Sequence, residues 1–267
     1  MRLKIAHQTR YQFAEPVSYA LQQLRLTPKT RRGQEVVSWR IELEGGKEEV
    51  AFIDQFNNST QLISIEEGAR ELVFRAVGEV ETHDQAGIVG EHAGWTPLWL
   101  YNRKTPLTAP GPTLRKLARG LGADFEDDVA RLHGLMELIG AEIAYETGQT
   151  HAQTTAEEAA AAGHGVCQDH THVFITCARL LGFPARYVSG YLMMTDRVQQ
   201  DASHAWAEAY VEGLGWVGFD VSNAISPDEK YVAVATGLDY LDAAPVSGMT
   251  FGHAQEGLDV SVQVQQQ

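Results

Sequence analysis

Residues Gly163 to Gly182, GHGVCQDHTHVFITCARLLG, decide how this chain folds. Val173, Phe174, Cys177, Leu180 and Leu181 recur at intervals of three and four, which predicts a helix that begins near Cys167 and is ended by Gly182. A helix start carries unpaired backbone N–H groups and the positive end of the macrodipole, so a cysteine there is favoured as the thiolate. Cys167, His170, Phe174, Cys177 and Leu181 fall on one stripe, placing the sulfur at the open end of a buried face. A cleft residue belongs there. Gly163 and Gly165 let the incoming backbone turn tightly and leave room for another molecule to approach.

The surrounding chain has 267 residues, enough for two domains, and its 44% apolar and 21% charged content argues against disorder. A net charge of −14 without a basic stripe argues against nucleic acid or an anionic membrane as a partner. No apolar run reaches spanning length, and the N-terminal MRLKIAHQTRYQF reads as a strand rather than a secretory leader, so a cytoplasmic location is expected. The two cysteines sit ten residues apart. On one helix that is about 15 Å, beyond disulfide reach, so each is judged alone, and Cys177 reads as core.

Outward from the helix, residues 1–83 alternate as strands, for example Trp39, Ile41 and Leu43 against Ser38, Arg40 and Glu42. They predict an antiparallel β-sandwich-like domain of six or seven strands, in which His7, Arg10 and Arg25 carry no reaction centre. Residues 84–112, dense in Gly and Pro, form a linker. Residues 113–267 form a core with a C-terminal extension. It opens with helices over Leu114–Leu121 and Val129–Ile143, the second preceded by a capping acidic run, Asp124–Asp128. A third is started by Thr154-Thr155 with Glu157-Glu158. The fold class is α+β.

A nucleophilic cysteine needs a base, and the base needs an orienting partner. In SHAWAEAYV, strand alternation puts His204, Trp206, Glu208 and Tyr210 on one face and Ala205, Ala207 and Ala209 on the other; the following GWVGFD ends in Asp220. If Tyr210 pairs with Trp216, Trp206 opposes Asp220 and His204 becomes its diagonal neighbour.

The spaced motifs GHGVCQD, LGFPARYVSGY, HAWAEAY and GWVGFD resemble bacterial proteins of the transglutaminase-like superfamily, which share the papain-like cysteine-hydrolase core. HQTRY and LRLTP are similar to the β domain that precedes the core in one bacterial branch, and Asp239-Tyr240 with APVSG resembles its C-terminal segment. The resemblance implies a nucleophile at a helix start packed on an antiparallel sheet, with Cys167 as nucleophile, His204 as general base and acid, and Asp220 orienting the imidazole. It implies cleavage or transfer at an amide bond of a peptide or protein through a thioester, with no cofactor.

Hydrolysis and transamidation share that thioester and are not separated by these residues; hydrolysis by a peptidase or amidase is the expectation. A binding module that retains the fold without catalysis is the competing class. Gln168, Gly165, Trp206 and His170 are candidate substrate or oxyanion contacts, and for His170 packing, substrate binding and perturbation of the thiolate all stand open. No metal site is expected, because a helix sets His170 and His172 about 200° apart and neither HExxH nor paired CxxC occurs. The sequence does not speak to oligomeric state.

Overall fold

The computed structural model describes residues 1–15, 19–200, 202–251 and 256–267. Its first six strands are β1 (Arg2–Phe13), β2 (Tyr19–Thr27), β3 (Gln34–Glu44), β4 (Gly46–Ile53), β5 (Ser59–Ile65) and β6 (Glu71–Thr82). A short strand β7 (Ile88–Gly90) and a 3-10 turn at Leu98–Asn102 lie within the linker. Then follow α1 (Pro112–Gly120), α2 (Asp128–Glu142), β8 (Ala144–Tyr145), α3 (Ala156–Ala162), β9 (His164–Gly165) and α4 (Cys167–Leu180). The chain continues through β10 (Ala185–Leu192), β11 (Gln199–Gln200), β12 (His204–Val211), β13 (Gly215–Phe219) and β14 (Tyr231–Gly237). It ends with α5 (Tyr240–Ala243), β15 (Val246–Phe251) and β16 (Glu256–Gln266).

Local chemistry explains the helix starts. Asp127 caps α2, accepting from Ala130 N–H at 2.7 Å, and Thr155 with Glu158 forms the reciprocal capping box of α3. Glu157 has a different role: its carboxylate accepts from the backbone N–H groups of Gly111, Thr113 and Leu114 and so caps α1. Gly163, at φ +74°, supplies the left-handed turn that ends α3 and aims the chain at Cys167.

The central sheet has the order β14-β10-β12-β13-β7 and is antiparallel throughout. One face receives α4, whose Val173, Phe174 and Cys177 pack with Ala205, Ala207 and Ala209 of β12 and with Leu132 and Ile139 of α2. The small alanines let the helix approach closely. Gly190 is required on the opposite side, because a Cβ there would lie 2.1 Å from the Val232 carbonyl oxygen.

Two further sheets, β11-β16-β1-β6-β3 and β15-β2-β5-β4, form the N-terminal β domain. The C-terminal extension, grouped by sequence with residues 113–267, pairs instead with this domain: β16 runs antiparallel to β1, and β15 to β2. The reason is burial, since Val262 and Val264 pack with Leu3, Ile5 and Val80 beneath Tyr191, Val232 and Val234 of the central sheet. The linker's β7 likewise joins the edge of the central sheet at β13.

Side chains tie the domains together. Gln34 exchanges two hydrogen bonds with the Ala233 backbone, at 2.9 and 2.8 Å, and Asn58 does the same with Thr236, at 2.8 and 2.9 Å. Each amide thus serves β14 as a neighbouring strand would. His7 contacts the Tyr191 hydroxyl at 2.9 Å, and Arg31 reaches Glu208 at 2.8 Å. The β domain therefore covers the face of the central sheet that α4 leaves open, and no helix among the described residues is long and apolar enough to cross a membrane.

Candidate active site

Cys167 is the first residue of α4 and is half-buried. Asp169, two residues on, turns back and accepts from the Val166 N–H at 2.8 Å while holding the Thr150 hydroxyl at 2.7 Å. This fixes the entry to the helix. The backbone N–H of Cys167, in the first turn, has no intrahelical acceptor.

β12 and β13 pair in the register that the sequence left as a condition, with Tyr210 opposite Trp216 and Ala207 opposite Phe219. His204, at the start of β12, and Asp220, directly after β13, are thereby brought together: His204 Nε2 lies 2.6 Å from Asp220 Oδ2. Asp220 is fully buried, and its backbone is fixed by reciprocal bonds with Ile225. Two further donors converge on the same oxygen, Asn223 Nδ2 at 2.7 Å and the Tyr231 hydroxyl at 2.8 Å.

These contacts set the charges. Burial works against ionised Asp220, but hydrogen bonds from His204, Asn223 and Tyr231 outweigh it and hold the carboxyl below its ordinary range. Burial also disfavours the His204 imidazolium. Hydrogen bonding and attraction to Asp220 and to the Cys167 sulfur prevail, raising the ring to about 10. With Nε2 held by Asp220, Nδ1 is the nitrogen left for the sulfur. Trp206 stacks on the ring at 6.2 Å between centroids, and Tyr231 lies 6.0 Å away.

The other predicted contacts fare differently. His170 is buried with both ring nitrogens engaged, Nε2 with the Ile143 carbonyl at 3.0 Å and Nδ1 with the Ser222 hydroxyl at 2.9 Å. A carbonyl only accepts, so Nε2 carries the proton and Nδ1 receives the hydroxyl's. Burial lowers the ring's proton affinity, and no N–H remains for a substrate. His170 is a strut linking α4, Ile143 just before β8 and the loop after Asp220, which is the packing role among the three that stood open. Gly165 is also structural: a Cβ there would meet the Asp169 side chain at 2.6 Å. Gln168 donates to the Ala152 carbonyl at 3.2 Å. Trp206 is 1% exposed and stacks on the His204 ring; its indole N–H has no protein partner.

His172 turns away from the sulfur and accepts from the Tyr240 N–H at 3.1 Å. Among the described residues, no three His, Cys, Asp or Glu side chains are arranged to hold a metal ion.

Sequence reasoning missed Asn223, Tyr231 and Tyr145. Asn223 sits three residues beyond Asp220 in a turn, where nothing in the spacing marks it. Tyr231 reaches Asp220 only because β14 lies two strands from β12. Tyr145 arrives through the two-residue parallel pairing of β8 with β9, where it faces Gly165. Burial, and then the charges of Cys167 and Asp220, raise its phenol.

Residues 115–221 match the transglutaminase-like superfamily, and residues 3–81 match the bacterial transglutaminase-like N-terminal region. The chain belongs to the transglutaminase-like superfamily and carries the N-terminal region of its bacterial branch. It is similar to an uncharacterised protein of Mycobacterium leprae, 27% identical over 281 residues and covering 98% of each chain. An uncharacterised Mycobacterium tuberculosis protein is 26% identical over 291 residues, with 98% of this chain and 92% of that one covered. Among solved structures, a proposed cysteine protease from Cytophaga hutchinsonii superposes with a TM-score of 0.78 at 23% identity, over 100% of this chain and 91% of that one. That likeness establishes a shared α+β fold.

Proposed function

We propose that the protein is a cysteine-dependent amide-bond hydrolase, a peptidase or amidase, in which Cys167, His204 and Asp220 act as a triad. The observation that carries this reading is the buried His204–Asp220 pair at 2.6 Å, whose ring is kept protonated partly by the Cys167 sulfur. A carboxylate-held imidazole beside a sulfur at a helix start is the pairing of base and nucleophile that acyl transfer to cysteine uses.

In the proposed reaction the Cys167 sulfur attacks the amide carbonyl carbon, and the developing oxyanion is met by the Cys167 backbone N–H. As the C–N bond breaks, His204 gives its proton to the leaving amine, and a thioester to Cys167 remains. Water then attacks the thioester carbon and surrenders a proton to His204. The C–S bond breaks, releasing a carboxylic acid and restoring the ion pair. Asp220 keeps Nε2 occupied throughout, so that Nδ1 faces the sulfur. Water is the acceptor in this proposal because it requires no further binding site.

Incubation with a glutamine-containing peptide mixture and a labelled amine tests the assignment. New carboxylates and released amines should appear with wild type and vanish with Cys167→Ala. Amine incorporation outrunning hydrolysis would replace the hydrolase by an acyl transferase; absence of both, with iodoacetamide reacting at Cys167 no faster at pH 6 than with a free thiol, would leave a binding module.

A further inference from the structure

One cavity of this molecule is remote from Cys167. It measures about 510 Å³ and is lined by Arg115, Ala118 and Arg119 of α1, Arg131 of α2, and Leu180 with Leu181 where α4 ends. Since α4 has 14 residues rising 1.5 Å each, this opening lies about 20 Å along the helix from the sulfur. Its volume falls in the range of small-molecule sites.

Three arginines around one opening are unusual in a chain with 35 acidic and 21 basic residues. Arginines near helix C-termini ordinarily complement the dipole or cap the last carbonyls. Arg119 does so in α1 through its Nε alone, and at the end of α4 the carbonyls of Cys177, Ala178 and Arg179 are already bonded by the N–H groups of Leu181, Gly182 and Phe183. Nor are the arginines neutralised. The neighbouring acidic run, Asp124 to Asp128, places no carboxylate within 4.0 Å of them, and Asp127 is spent on capping α2. Arg119 gives only its Nε, to the Arg115 carbonyl at 3.1 Å. Arg131 Nε is buried without a partner, its guanidinium held 6.0 Å over the Phe183 ring. The remaining wall is apolar, formed by Ala118, Leu180 and Leu181.

We infer that this cavity is a binding site for a small amphiphilic anion: a compact oxyanion head, carboxylate or phosphate monoester, held by the three guanidiniums, with an alkyl body lying on Leu180 and Leu181. Guanidinium donors suit both head groups, because their fork matches two oxygens at once. The apolar wall gives the alkyl portion an area-dependent gain that a bare inorganic anion would not collect.

Calorimetric titration of the full chain with decanoate, decyl phosphate, decanol and inorganic phosphate tests this without recourse to turnover, so its outcome is independent of the proposed hydrolase. Decanoate or decyl phosphate should bind saturably at one site, about tenfold or more tighter than decanol and phosphate. Which of the two heads binds tighter identifies the natural one. The double variant Arg115→Ala, Arg119→Ala should weaken binding by about tenfold or more, and Arg131→Lys, which keeps the charge and the stem over Phe183, should weaken it less. Equal binding of decanol would reduce the site to an apolar groove, and equal binding of phosphate would reduce it to a bare anion contact. Either result overturns the inference, as does absence of saturable binding, or unchanged affinity in a double variant that melts with the wild type.

Discussion

The two five-stranded sheets are built from similar strands and treat their polar residues in opposite ways. In the N-terminal sheet, β1 alternates buried and open positions and β3 leaves one edge in water, so Arg10 and Glu71 meet with about two fifths of each side chain exposed. In the central sheet, β10, β13 and β14 are buried at every position and β12 at all but Tyr210, because α4 covers one face and the β domain the other. A charge on such a strand must find its partner inside the protein. Glu208 finds Arg31 and Arg186 at 2.8 and 2.6 Å, and His204 finds Asp220 at 2.6 Å. Two-sided burial is what turns ordinary ionisable groups into perturbed ones, and the candidate site lies where that sheet opens at the start of α4.

The greatest effect should follow from dismantling the pair at that opening. Cys167→Ala or His204→Ala is expected to lower peptide-amide turnover about a million-fold, and Asp220→Asn about ten-thousand-fold, read by single-turnover kinetics. The sign of the pH dependence is also fixed. His204 titrates higher folded, at about 10, than unfolded, at its ordinary 6.5; its contribution to stability is therefore complete below pH 6.5 and is lost as pH rises towards 10. An alkaline limb of the denaturation midpoint that persists unchanged in His204→Ala would break the assignment.

How much of this was legible in the sequence follows from how local each contact is. Helix α4, the capping box of Thr155 and Glu158, and the faces of β12 are set by neighbours within four residues, and the β12–β13 register by a short hairpin. The first three could be read directly and the register only as a condition, and together they carry Cys167, His204 and Asp220. Tyr231 and the struts of His170 depend on where strands and loops far apart in sequence come to rest. So does the return of β16 to β1, since no residue of the C-terminal extension announces its partner. Glu157 makes the same point within one turn, since its neighbour Glu158 closes the box it was expected to share while it caps another helix.

Stability should divide the sheets next. Glu208 is 0% exposed, and its two arginines hold it at about 2 against the penalty of burial. Glu208→Ala leaves Arg31 and Arg186 facing each other across the domain junction, and about 3–5 kcal/mol of unfolding free energy should be lost in urea. A loss no larger than that of a surface pair would mean that water reaches the junction and that the central sheet is not closed on both sides.

A smaller loss, about 2 kcal/mol by pH 5, should accompany acidification through His172. Burial, reinforced by Arg179, lowers this ring to about 3, and it stays neutral to accept from Tyr240 N–H. The unfolded chain takes up the proton first, so stability is complete above pH 6.5 and declines as pH falls towards 3. His172→Gln keeps an acceptor without a titrating group, and the acid limb measured through the buried Trp206 and Trp216 should flatten.

The smallest effect is expected from the N-terminal sheet, and it is the sharpest control on the comparison. Arg10 and Glu71 stand on adjacent strands β1 and β6 in direct contact, the same pairing of ion types as Arg186 with Glu208. Water already solvates much of both groups, so removing one leaves the other hydrated instead of stranded, and salt screens what attraction remains. Glu71→Ala should therefore leave the urea midpoint unchanged within error and insensitive to salt, while Glu208→Ala shifts it strongly under the same conditions. Comparable shifts in the two variants would show that the ion pairs differ little in solvation, and the explanation of the site through two-sided burial would fail with them.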